Sequence, residues 1–184
     1  MSDLQTAEVL KRYFGHESLK PGQSEVIERV MNLSNTLAVL PTGGGKSLCY
    51  QLPAMCMQGL SIVISPLIAL MRDQVESLTK KGVPCARIDS TSSAEEFEQT
   101  MASIDSGELK LLYLSPERLA EPVMLRLLKE SSIALVAIDE AHCISEWGHS
   151  FRPSYIRLPK LVRALKPQVI LALTATASKD TAKG

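Results

Sequence analysis

Two clusters of side chains in this sequence have the types and spacing for phosphate chemistry. The first is Pro41-Thr42-Gly43-Gly44-Gly45-Lys46-Ser47, between the apolar run Thr36–Leu40 and a helical stretch holding Cys49, Leu52, Ala54 and Met55. Glycines let backbone N–H groups turn inward toward phosphate oxygens. A helix N-terminus adds partial positive charge at the same place. Lys46 would reach the β- and γ-phosphates of ATP, and the Ser47 hydroxyl would bind Mg²⁺. The run departs from the GxxxxGK[ST] pattern at its first position, where Leu40 stands for glycine.

The second cluster is Asp139-Glu140-Ala141-His142, directly after the apolar run Ile133-Ala134-Leu135-Val136-Ala137-Ile138. Two adjacent carboxylates at the end of a strand can divide the work of hydrolysis. Asp139 would hold Mg²⁺, and Glu140 would orient and deprotonate the attacking water. Standing alone, such a pair could equally be an acidic helix start that complements the dipole. Beside a phosphate loop the catalytic reading is favoured.

These side chains need a scaffold that brings strand ends together. Short apolar runs recur at Thr36–Leu40, Ser61–Ser65, Cys85–Asp89, Leu111–Leu114, Ala134–Ile138 and Val169–Leu173. Each has strand length, and several are apolar throughout, as strands buried on both faces are. Helical stretches such as Leu67–Lys80 and Ala94–Ile104 separate them. Alternation of this kind predicts an α/β fold, a mostly parallel sheet with helices on both faces. Right-handed crossovers then put every strand's carboxyl end, and any ligand, on one edge. The first 33 residues read as two short helices broken at Lys20-Pro21-Gly22.

Composition fits one globular domain. The chain has 184 residues, 45% hydrophobic and 22% charged, with a formal net charge of zero. Residues 145–184 carry a basic excess, a weak hint of a polyanionic partner. Cys49, Cys56, Cys85 and Cys143 form no CxxC pair, so no zinc site is expected in this chain. His142 and His149 lack the clustered cysteines or carboxylates that would complete a metal site. There is no apolar signal region at the N-terminus and no run of membrane-spanning length. A cytoplasmic protein without membrane contact is expected (nucleoid-associated in a bacterium, nuclear in a eukaryote).

Thr42–Ser47 with Asp139–His142 resembles motifs I and II of superfamily-two helicases. Two longer strings narrow the resemblance to the RecQ family: Pro41 through Ala54 (PTGGGKSLCYQLPA), and Ala141 through Pro153 (AHCISEWGHSFRP), similar to its aromatic-rich loop. The resemblance runs from Phe14 to Thr174-Ala175-Thr176 and implies a RecA-like P-loop NTPase domain. Residues 34–184 would form the first RecA-like domain, with the helices of 1–33 part of the same unit.

Further roles follow from the resemblance. Phe14 with Lys20-Pro21-Gly22-Gln23 resembles the adenine-recognition motif, although the family usually has arginine where Lys20 stands. Ser65 and Arg72, within Ser65–Gln74, resemble motif Ia, and Arg118, in Ser115-Pro116-Glu117-Arg118, resembles motif Ib. Both are implied to contact DNA. His142, Trp147, His149, Phe151, Arg152, Thr174 and Thr176 are implied to contact DNA or couple it to ATP. Glu146 and Ser150 depart from the glutamine and aspartate common in the family.

The implied activity is ATP-driven 3′-to-5′ movement on single-stranded DNA and unwinding of duplex. The family's second RecA-like domain, with its arginine finger, and its zinc-binding and winged-helix regions are not in these 184 residues. The chain alone is therefore expected to be unable to unwind. Two rivals stand: a P-loop ATPase that remodels protein or pumps a solute, and a module that binds nucleotide or DNA without turnover.

Overall fold

The computed structural model describes residues 3–41, 45–144 and 153–175. The chain opens with helices α1 (Asp3–Phe14) and α2 (Pro21–Met31), then strand β1 (Thr36–Leu40) and α3 (Leu48–Cys56). There follow β2 (Leu60–Ile64), α4 (Ile68–Lys80), β3 (Cys85–Ile88), α5 (Ala94–Asp105) and β4 (Leu111–Leu114). Two short helices, α6 (Pro116–Leu119) and α7 (Pro122–Lys129), lead to β5 (Ile133–Ile138). Helix α8 (Leu158–Ala164) and β6 (Val169–Ala175) close the described part.

Local sequence explains where several helices begin. Proline occupies the first turn of α2, α6 and α7, where its missing N–H costs nothing. Helix α5 starts with a capping box: the Glu96 N–H donates to Ser93 Oγ at 3.1 Å and the Ser93 N–H donates to Glu96 Oε1 at 3.3 Å.

The six strands form one sheet in the order β1-β6-β5-β2-β4-β3, and every pairing is parallel. Period-two alternation divides the strand side chains between two cores. Val63, Leu111, Tyr113, Leu135 and Ala137 pack with residues of α1 to α4. Ile62, Ile64, Leu112, Leu114, Val136 and Ile138 pack with residues of α5 to α8. Strand β5 is buried along its whole length, as its unbroken apolar sequence implies.

Strand β1 departs from that reading. Its sequence is nearly as apolar, yet Leu37 is 66% and Val39 52% exposed. The reason is position: β1 is an edge strand, and only its Ala38 and Leu40 face is covered by helices among the described residues.

The strand order divides one edge of the sheet into two halves. The carboxyl ends of β1, β6 and β5 are neighbours and carry Lys46, Thr174 and Asp139. Those of β2, β4 and β3 are neighbours and carry Ser65, Ser115 and Asp89.

Candidate active site

Residues 42–44, and with them Thr42, Gly43 and Gly44, lie outside the described residues, so the loop is seen at its two ends. Gly45 has φ 73°, a conformation that favours glycine, and a Cβ there would push the Gln23 amide aside. The chain then turns through Lys46 and Ser47 into α3. Ser47 sits at the N-cap, yet its hydroxyl makes no capping bond and no other hydrogen bond among the described residues. That oxygen is available to a ligand.

Lys46 reaches back over the sheet edge. Its Nζ lies 3.9 Å from Asp139 Oδ1, with side-chain exposures of 19% and 8%. Asp139 continues the ladder of β5, its N–H donating to the Ile64 carbonyl at 2.9 Å. The backbone then breaks sharply at Glu140, whose φ is 55°. That region is costly for a residue with a Cβ, and such strain gathers at functional turns. The Glu140 N–H donates to Asp139 Oδ1 at 2.9 Å, and the buried Tyr155 hydroxyl donates to the Asp139 carbonyl at 3.2 Å. These bonds fix the carboxylate beneath the loop.

Asp139 carries a pKa above the ordinary aspartate value. Burial is the main cause, and Glu140 adds to it; Lys46, His142 and the Glu140 N–H pull the other way. A buried carboxylate that one lysine does not fully offset is a fitting partner for a cation. Among the described residues no three histidine, cysteine or acidic side chains converge. Magnesium needs no such cage, because it keeps several waters and takes one or two protein ligands. Ser47 and Asp139 fit that requirement.

The raised pKa sets the sign of a stability prediction. In the folded protein the ionised form of Asp139 is disfavoured, so it destabilises at neutral pH. Asp139→Asn is expected to raise the melting temperature of the ligand-free chain by a few degrees at pH 7. The gain should be full above the folded pKa and shrink as pH falls toward the unfolded value of 3.8. Thermal melts of both proteins across pH provide the check. Equal melting temperatures at pH 7 would contradict this account of the carboxylate.

A hydrogen-bonded chain leads away from Glu140. His142 Nε2 is 3.3 Å from Glu140 Oε2, and His142 Nδ1 is 2.9 Å from Thr174 Oγ1. The link from the acidic turn after β5 to the end of β6 needs the proton on Nε2, which then donates to the Glu140 carboxylate while Nδ1 accepts from the Thr174 hydroxyl.

Lys20 is exposed, whereas Gln23 is 5% exposed and its amide bridges two segments. Its Oε1 accepts from the Lys20 N–H at 3.0 Å, and its Nε2 donates to the Gly45 carbonyl at 3.0 Å. The residue expected to read adenine thus also holds the end of the phosphate loop.

On the other half of the edge, Ser65 is buried and its Oγ accepts from the Leu67 N–H at 3.2 Å. Arg72 is exposed on α4. Arg118 borders a groove with Pro66, Ile68, Ser90, Ser115 and Glu121. Trp147, His149, Phe151, Arg152 and Thr176 lie outside the described residues. Sequence reasoning missed Tyr155 and the Arg87–Asp89 pair. Nothing near Tyr155 marked it, whereas Asp89-Ser90-Thr91-Ser92-Ser93 after an apolar run is a readable turn signal.

The model of the DEAD/DEAH box helicase family matches residues 20–183. The chain is 47% identical over 173 residues to the ATP-dependent DNA helicase RecQ of Haemophilus influenzae, covering 94% of this chain and 28% of that protein. It is 50% identical over 175 residues to RecQ of Bacillus subtilis, covering 94% of this chain and 29% of that protein. The chain thus spans less than a third of the length of these relatives. Among solved structures, the helicase MrfA bound to DNA and AMPPNP superposes with a TM-score of 0.69 at 20% identity, over 97% of this chain and 27% of that one. The Mycobacterium smegmatis helicase Lhr, bound to single-stranded DNA and AMP-PNP, gives 0.65 at 21% identity, over 97% of this chain and 25% of that one. These neighbours share the fold, that of a RecA-like helicase domain. With the family match spanning nearly the whole of it, the chain belongs to the DEAD/DEAH box helicases.

Proposed function

We propose that this chain is the ATP-binding half of a RecQ-type DNA helicase motor. In the whole protein it would drive 3′-to-5′ movement along single-stranded DNA and unwind duplex, in the service of DNA repair and recombination. Residues 1–33 and 34–184 act as one unit in this reading, and the remaining motor parts lie elsewhere in the longer protein. The observation that carries the proposal is the convergence of Lys46, Ser47, Asp139 and Glu140 at one sheet edge, joined through His142 to Thr174. The exposed Arg72, and Arg118 in the groove with Ser115, offer cations to a DNA phosphate, which favours the helicase reading over a pump or remodelling ATPase.

Each residue has a role that its position allows. Lys46 binds the β- and γ-phosphates of ATP, and the Gly45 turn aims backbone N–H groups at them. Lys20 and Gln23 border the loop where adenine would sit. Ser47 and Asp139 would hold Mg²⁺, which when bound neutralises charge on the phosphates. Glu140 orients a water and accepts its proton at a carboxylate oxygen. His142 then relays the state of that carboxylate to β6. Trp147 and Phe151 would stack on unpaired bases, and Arg152 would pair with a phosphate.

DNA-stimulated ATP turnover in the full-length protein tests the proposal. Thr174→Val removes the hydroxyl that meets His142 while keeping shape. The expected result is unchanged ATP affinity with most of the stimulation by single-stranded DNA lost. Parent turnover that does not respond to DNA would sink the helicase reading. Full stimulation in the Thr174 variant would remove the relay from it.

A further inference from the structure

Asp89 has no assigned role, yet it is completely buried just past the end of an edge strand. Burying a carboxylate is costly unless it is paired and hydrogen-bonded. Here every polar atom of the residue is engaged. Oδ1 accepts from the Thr91 N–H at 2.7 Å and from the Thr91 hydroxyl at 2.5 Å. Oδ2 accepts from Arg87 Nη1 at 2.6 Å, an ion pair in which Arg87 is itself largely covered. The Asp89 N–H donates to Ser92 Oγ at 3.0 Å, and the Asp89 carbonyl accepts from the Ser92 N–H at 3.2 Å. Burial raises the pKa of this carboxyl, but the Thr91 and Arg87 contacts outweigh burial and hold it below the ordinary aspartate value.

The same carbonyl accepts a second bond, from Arg118 Nε at 3.1 Å. On its other side Arg118 Nη1 meets the Glu121 carboxylate at 3.2 Å. Its Nη2 has no hydrogen-bond partner among the described residues. The guanidinium is thus gripped at one end, contested by an acid at the other, and borders the groove with Ser90 and Ser115.

We propose that Asp89 is a positioning residue for Arg118: its carboxylate locks the turn at 89–92 so that the carbonyl holds the guanidinium open toward a nucleic-acid phosphate. This rests on the reading of the β2-β4-β3 half of the edge as the path of the DNA strand. Without the carboxylate the turn loses its two bonds from Thr91, and Arg87 loses its hydrogen bond and counter-charge. Arg118 then loses its anchor at Nε, and the Glu121 contact it already makes is left as its main hold, so the guanidinium is no longer fixed toward the phosphate.

The test uses the full-length protein and an oligothymidylate of fixed length, with binding followed by fluorescence anisotropy across salt concentration. Each phosphate contact contributes a slope of about −0.7 to the salt dependence of single-strand binding. Arg118→Ala should lower the magnitude of the slope by about 0.7. Asp89→Ala should lower it by the same amount and leave ATP affinity unchanged. The double variant should fall no further, because both changes remove one contact. Thr91→Ala with Ser92→Ala loosens the turn from its exposed side without leaving a buried charge unpaired, and serves if Asp89→Ala does not fold. It too should lower the slope, and only where Arg118 is present. If Arg118→Ala leaves the slope unchanged, the DNA reading of this edge fails and the role of Asp89 with it. If Arg118→Ala lowers the slope while the Asp89 and turn variants keep the parent's, the DNA reading stands and the positioning role is overturned. Additive losses in the double variant would overturn it equally.

Discussion

Lys46→Ala is expected to weaken ATP binding by about 10- to 100-fold, as measured by calorimetric titration with a non-hydrolysable ATP analogue. Lys46 is largely covered, and its ammonium lies at the mouth of the phosphate loop, 3.9 Å from Asp139. A hydrogen bond to a charged group contributes about 1.5–3 kcal/mol, which sets the range. A second effect acts in the same direction. Lys46 is the nearest cation to the buried Asp139 carboxylate and lowers its pKa. Without it, more negative potential faces an incoming triphosphate. The loss should depend on the ligand: large for the triphosphate, smaller for the diphosphate, absent for adenosine, which offers no phosphate. A variant that binds the analogue within twofold of the parent would mean that the loop does not cradle phosphate.

The parts of this molecule that were legible in the sequence are those written in short stretches. The alternation of apolar runs with helical periodicity fixes the α/β layering. The glycines before Lys46 and the carboxylates after Ile138 mark two strand ends. Their meeting was not legible, since it depends on β6 inserting between β1 and β5, and no local pattern encodes strand order. The exposed face of β1 was missed for the same reason: Leu37 and Val39 have core-like types, and only the neighbours of a strand decide whether a face is covered. Contacts between distant residues were hidden most completely. Tyr155 finds the Asp139 carbonyl across 16 positions, and Arg118 finds the Asp89 carbonyl across 29. The resemblance implies that Gln23 contacts adenine. Its bond to the Gly45 carbonyl adds a grip on the loop that spacing gave no reason to expect.

Glu140→Gln is expected to leave ATP affinity within about threefold of the parent while turnover in the full-length protein falls by roughly a hundred- to ten-thousandfold, the usual worth of a general base. The two neighbouring carboxylates are not interchangeable. Asp139 is buried, and its Oδ1 both faces Lys46 and accepts the Glu140 N–H, which ties this carboxylate to the lysine and leaves Oδ2 for the cation. Glu140 leaves the strand at a strained φ of 55°, which swings its side chain away from Lys46 and toward His142. It is the more exposed carboxylate, with Oε1 to spare for a water. Glutamine keeps the length and an acceptor for the His142 contact, so the turn and the link to Thr174 should survive. It cannot accept a proton from water at neutral pH, and that is the step it removes. Binding and turnover must therefore separate: a calorimetric titration close to the parent's, and a steady-state rate two to four orders of magnitude lower. A rate within threefold of the parent would exclude Glu140 as the base. A matched loss of affinity and rate would instead assign it to holding the nucleotide.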